Sequence, residues 1–136
     1  MGKKLISMLM LVVLLVSAAA LAGANPKTVG ISYPVDRTNL TYGPGGTAYY
    51  NKKTSSQQNW DIRYDNGPAE HGTVSAYLYD QNSGLQSTHK EAVAMGVQSE
   101  FSYLSGRCVV GHNYKVVMTA PSLPPQPNTY TFTFEP

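Results

Sequence analysis

Cysteine is almost missing from this sequence: there is one, Cys108, in 136 residues. One thiol makes no internal disulfide and no thiolate zinc cluster. Charge is scarce too, at 13% of residues, and no charged tail or basic stripe stands out as a nucleic-acid footprint. No stretch repeats apolar residues at helical spacing through three turns, so a helical bundle is excluded. The acids do not alternate within any loop as a calcium site requires, and they suggest no pair across a glycosidase cleft. The serines lack a nucleophile-elbow setting. His71, His89 and His112 lie 18 and 23 residues apart, without the close pairs of zinc sites, and read as three unrelated surface histidines. No metal, no cofactor and no catalytic residue is expected, and the protein reads as a non-enzyme.

What is present begins with one apolar run. Lys3 and Lys4 precede the run Leu5 to Val16, and small residues follow through Ala24. A basic start, an apolar middle and an Ala-x-Ala end predict a secretory signal peptide over 1–24, cut before Asn25; Ala20-Leu21-Ala22 offers the other cleavage point. The competing reading is an uncleaved anchor, since Leu5 to Gly23 is just long enough to span a bilayer. Removing 24 residues leaves 112, one domain's worth, and takes two lysines, so the remainder carries 8 basic and 8 acidic residues. The expected localisation is therefore secreted or cell-surface. Neither nucleic acid nor a membrane beyond the signal peptide is expected as partner.

The rest of the chain alternates. Val74, Ala76 and Leu78 fall on one side of an extended segment, and Thr73, Ser75, Tyr77 and Tyr79 on the other. Trp60, Ile62 and Tyr64 alternate with Asp61, Arg63 and Asp65. Tyr114, Val116, Met118 and Ala120 form another such face, as do Tyr130, Phe132 and Phe134, and Val97, Ser99, Phe101 and Tyr103. Val29, Ile31 and Tyr33 begin the series. A strand is expected over 47–51, and the segment 90–95 stays open between a helical turn and a strand. Asn66-Gly67-Pro68 is a turn signal, so Asn59–Asp65 and Gly72–Asp80 are expected to pair as a hairpin. Asp36 to Asn39 reads as a turn and Pro121 to Asn128 as a stiff connection. Strands at this spacing predict an all-β fold: a single antiparallel β-sandwich over 25–136, of about seven or eight short strands.

Gly111-His112-Asn113-Tyr114-Lys115-Val116 resembles the tyrosine corner of immunoglobulin-like and fibronectin-type-III-like sandwiches. The resemblance implies that the Tyr114 hydroxyl bonds back to the backbone just upstream, with Trp60 as a central core aromatic. It covers the C-terminal part of the chain and lacks the paired cysteines of antibody-type domains. Tyr49-Tyr50-Asn51 and His71-Gly72-Thr73-Val74 are also similar in flavour to small secreted bacteriocins of the lactococcin type. Such folds host unrelated functions.

Two further readings concern sites. Cys108 and His112 are four apart, but on extended chain that spacing separates them by about 13 Å, so they read as a core cysteine beside a loop histidine. The surplus of tyrosine, 10 residues, is the positive sign of function. Tyr rings offer a flat apolar face and a polar tip, suited to wet contacts with sugars or proteins. Tyr77 and Tyr79, joined by Tyr49, are the expected ligand contacts, with 43–46 and 121–128 as rims; the competing reading puts these rings in the core. The expected function is binding of an extracellular glycan, cell-wall polymer or protein. The alternative is a secreted antibacterial effector or enzyme inhibitor.

Overall fold

The computed structural model describes residues 25–33, 40–123 and 128–136. The expected signal peptide, the turn at 36–39 and residues 124–127 of the proline-rich connection lie outside the described residues. The strands are β1 (Lys27–Ser32), β2 (Thr41–Tyr42), β3 (Asn51–Lys52), β4 (Asn59–Asn66), β5 (Thr73–Asp80), β6 (Leu85–Gln86), β7 (Glu91–Ala94), β8 (Gln98–Ser102), β9 (Asn113–Thr119) and β10 (Thr129–Glu135).

The two-residue period seen in the sequence is the period of burial. Trp60, Ile62 and Tyr64 of β4, Val74, Ala76 and Leu78 of β5, Tyr114, Val116 and Met118 of β9, and Tyr130, Phe132 and Phe134 of β10 are all buried. With Val29 and Ile31 of β1 they form one core. Each large aliphatic or aromatic side chain taken from water contributes about 1.5–3 kcal/mol. The protein is therefore an antiparallel β-sandwich, closed between two inward faces.

The first sheet has the order β1–β10–β4–β8. In the second, β9 pairs with β5 at the centre, and each edge is made of two short pieces: β2 and β3 along β9, β6 and β7 along β5. Short, interrupted edges offer little length for pairing with another chain. Counting each broken edge as one strand gives eight strands. The first then pairs with the last, the second with the seventh, the third with the sixth and the fourth with the fifth. That is a long hairpin rolled on itself, the strand order of a jelly roll.

The expected hairpin of 59–65 with 72–80 does not form. β4 lies in the first sheet and β5 in the second, joined by an arch through a 3-10 turn at Ala69–His71. Both strands carry an apolar face, and packing those faces against each other across the sandwich buries both, whereas a hairpin sets them side by side in one sheet. Gly67 allows the arch. A Cβ there would stand 1.8 Å from the Tyr64 hydroxyl, so only glycine lets the backbone pass over that ring. The segment left open at 90–95 is strand β7, in register with β5.

Tyr114 sits at the start of β9. Its hydroxyl donates to the Arg107 carbonyl at 2.9 Å and accepts from the Val109 N–H at 3.0 Å. This is the upstream bond that a tyrosine corner implies, here within a jelly-roll strand order. Trp60 is buried against Phe101, ring centres 5.8 Å apart.

Candidate ligand-binding face

The inward side chains of β5 are consumed by the core, which leaves Thr73, Ser75, Tyr77 and Tyr79 on the outer face of the second sheet. Register sets their neighbours: Ser75 is opposite Thr119, Tyr77 opposite Val117 and Tyr79 opposite Lys115. Directly opposed residues of an antiparallel pair share a face and touch. Tyr77 and Tyr79 are half-buried, neither sealed nor free. Burial, followed by the neighbouring Tyr79, pushes the Tyr77 hydroxyl above its ordinary pKa.

Lys115 brings a cation to these rings. Its Nζ lies 5.2 Å from the Tyr79 ring centre and 5.4 Å from that of Tyr50. An ammonium over an aromatic face is held by the ring quadrupole. The same Nζ donates to the Pro44 carbonyl at 2.8 Å, which ties the 43–46 loop to the sheet. Burial lowers the pKa of Lys115, and Tyr79 pushes it back up. Gly43 lies flat on Val117, where a Cβ would come within 2.9 Å of Cγ2. That contact explains why Val117, on the outward side of β9, is only 5% exposed.

Tyr49 is placed differently from the expectation. Residues Thr47–Tyr49 form a 3-10 turn after Gly46, whose φ is +90°, in place of the expected strand. Tyr49 then packs against the core cluster, and it is Tyr50 that reaches Lys115. Sequence reasoning missed Tyr50 and Lys115. The Gly45-Gly46 pair was the available signal, because it lets the chain reverse where an alternating pattern assumes it continues.

The histidines also depart from expectation. His71 is buried, with Nδ1 at 2.5 Å from the Tyr130 hydroxyl and Nε2 at 2.9 Å from Ser122 Oγ. It is a core imidazole satisfied at both nitrogens rather than a surface residue. His112 Nδ1 is 2.8 Å from the Asp80 carboxylate, while Cys108 Sγ donates to the Gln57 carbonyl at 3.1 Å. Cys108 and His112 thus hold different partners. Among the described residues no group of three His, Cys, Asp or Glu is arranged to hold a metal ion.

Two clefts lie on the opposite face. Clefts of about 280 and 360 Å³ sit on the outside of the first sheet, both lined in part by Asp61. There Asp61 stands in register with Glu135 on one side and Glu100 on the other. Burial first, and Glu100 second, raise the Asp61 pKa. Arg63 is exposed and ion-pairs with Asp65, whereas Asp61 is half-buried and crowded by like charge.

No protein-family model, no curated protein and no solved structure matches the chain. The functional reading therefore rests on these two faces alone.

Proposed function

We propose that the protein is an exported, non-enzymatic binder of an extracellular glycan or cell-wall polymer. The ligand lies along Tyr77, Tyr79 and Tyr50, around Lys115. One observation carries the reading: half-exposed rings stand on a rigid strand whose other side is wholly spent on the core. Tyr79 holds the Lys115 ammonium, but neither Tyr77 nor Tyr79 belongs to the core cluster, and a threonine or lysine would serve solubility better. A flat sheet face favours an extended polymer over a small compact molecule, which takes a cavity. Sugar rings stack on aromatic faces while their hydroxyls meet the tyrosine tips, the carbonyls of the 43–46 loop and the ammonium. Jelly rolls include lectin domains among many other functions, so fold supports the reading only by analogy.

The test is retention of the purified protein on insoluble cell-wall preparations and a polysaccharide array, beside the Tyr77→Ala/Tyr79→Ala variant. Retention of the parent and loss in the variant, with far-ultraviolet circular dichroism unchanged, is the expected result. Equal behaviour of the two proteins refutes this use of the face.

A further inference from the structure

Register brings His71 and Ser122 together. β5 and β9 pair with Ser75 opposite Thr119. Carried three residues further along each chain, that register sets Ser122 beside Gly72 and His71, at the end of the sheet away from Tyr79. Ser122 Oγ lies 2.9 Å from His71 Nε2, and His71 Nδ1 lies 2.5 Å from the Tyr130 hydroxyl. The backbone holds the imidazole in place. The His71 N–H donates to the Pro68 carbonyl at 2.9 Å, and the Gly72 carbonyl after it accepts from Met95 N at 2.8 Å. The Tyr130 ring is itself fixed, with centres 5.6 Å from Tyr33, 6.1 Å from Tyr64 and 6.0 Å from the imidazole.

Exposure divides this row of side chains. His71 is 1% exposed and Tyr130 0%, whereas Ser122 is exposed, as are its neighbours Pro121 and Leu123. A base sealed in this way meets the outside only through the hydroxyl it contacts. A serine hydroxyl is a weak nucleophile until a base within about 2.6–3.2 Å takes its proton, and the base works best when another group fixes its ring. Such a relay is recognised by geometry and roles, not by fold or chain order. Tyr130 supplies the fixing group: its oxygen accepts the Nδ1 proton, which leaves the Nε2 lone pair aimed at Ser122. The sequence carries no mark of this, because Ser122 sits in a loop after β9 and not at an elbow between strand and helix.

We propose that Ser122 is a nucleophile and His71 its general base, with Tyr130 as the positioning residue, and that the site takes an acyl group from a carboxylic ester. His71 Nε2 accepts the Ser122 proton as Oγ bonds to the ester carbonyl carbon. The tetrahedral adduct then collapses. The bond to the alcohol oxygen breaks, and that leaving oxygen takes the proton from Nε2. The products are an acyl-serine and a free alcohol, with no redox change and no further reactant. The serine stands on open surface beside Leu123, 60% exposed, so a short acyl group on a large or extended alcohol fits best. The step loads one acyl group per chain. It adds covalent chemistry without turnover and does not depend on the binding reading, whose Tyr77 and Tyr79 lie further along β5.

The experiment treats the purified protein with p-nitrophenyl acetate and follows intact mass and peptide maps over time. The expected product carries an acetyl group on Ser122, formed about 100-fold faster than on any other serine of the same chain, the low end for a positioned base. Unfolding in urea abolishes that preference, and Ser122→Ala shows no such adduct. His71→Gln removes the base and slows acetylation at Ser122 by a similar factor. Tyr130→Phe lowers the maximal rate while the half-saturating ester concentration stays the same. Acetylation spread evenly over the serines overturns the proposal. So does a preference for Ser122 that survives in urea, or an equal rate in parent and His71→Gln. A Tyr130→Phe variant that keeps the maximal rate overturns the positioning role. The comparison among serines is read within the parent chain, so poor folding of a variant does not blunt the test.

Discussion

The two outer faces of this sandwich are built on the same inner pattern and differ in everything else. On the first sheet, Glu135, Asp61 and Glu100 line up across three neighbouring strands, bordered by Thr133, Arg63 and Gln98. On the second, Tyr77 and Tyr79 stand beside Val117, Lys115 and Tyr50. Two clefts open on the acidic face, and the rings stand on the other. The inward residues of a strand answer to the core; the outward ones are free to answer to something else. Opposed like charges are a cost, and half-exposed rings are a solubility burden. Each face thus carries a feature that folding alone does not ask for.

The sharpest way to separate the faces is by ligand retention. Tyr77→Ala/Tyr79→Ala should weaken binding to a retained polymer by about 2–4 kcal/mol, the scale of aromatic hot spots. Glu100→Gln on the other face should leave retention unchanged. The reverse outcome, measured by co-sedimentation, would move the site to the first sheet.

Acid titration separates them next, because each sheet carries one displaced carboxyl and the signs are opposite. Asp80 ends β5; burial raises its pKa, but bonds from His112, Ser83 and the Asn82 N–H outweigh this and leave it below its ordinary value of 3.8. Its contribution to stability is therefore complete above that value and is lost as pH falls through the folded pKa. Asp80→Ala should cost about 1.5–3 kcal/mol at pH 7, the range for hydrogen bonds to a charged group. That loss should shrink toward zero in strong acid, as read from urea midpoints across pH.

A smaller effect concerns the loop that borders the rings. Gly43→Ala forces a methyl against Val117 and should cost about 1 kcal/mol, at the low end for overpacking, because side chains can yield. The same change lifts the loop from Lys115, so retention should fall along with the thermal midpoint. A variant as stable as the parent would show that the loop moves freely.

The smallest change is expected on the acidic face. Asp61 has a raised folded pKa, so its contribution favours the folded state in acid, below its ordinary 3.8, and is lost as pH rises through the folded value. Asp61→Asn should therefore stabilise the protein at pH 7 by about 0.2–1 kcal/mol, the scale of a cross-strand charge pair. The gain should vanish below pH 4. Denaturant curves at the two pH values read it directly, and a destabilised Asp61→Asn would mean that the acids hold something.

Much of the fold was legible where the alternation was strict. β4, β5, β9 and β10 were found with their inward sets intact, because a period of two has one meaning when one face must be buried. The Tyr114 bond was legible because a glycine three residues before a tyrosine at a strand start is a local motif. Pairing was not. β4 and β5 are neighbours in the chain and carry similar patterns, yet they lie in opposite sheets. The candidate face was half legible: Tyr77 and Tyr79 follow from alternation, while Tyr50 and Lys115 needed a turn at Gly46 and the register of β9 against β5. The burial of His71 left no local trace, since its partners Tyr130 and Ser122 are more than 50 residues away.

By itself the sequence determined which residues face inward, where the chain breaks, and that extended segments would pack in two layers. Those are properties of single strands, fixed by side-chain alternation and by glycine and proline. Only the tertiary structure decided which strand lies beside which, that Lys53 is buried, and that the two outer faces diverge. Such facts depend on contacts between distant segments, where many arrangements bury the same apolar area and only packing, register and the passage of one backbone over a ring choose among them.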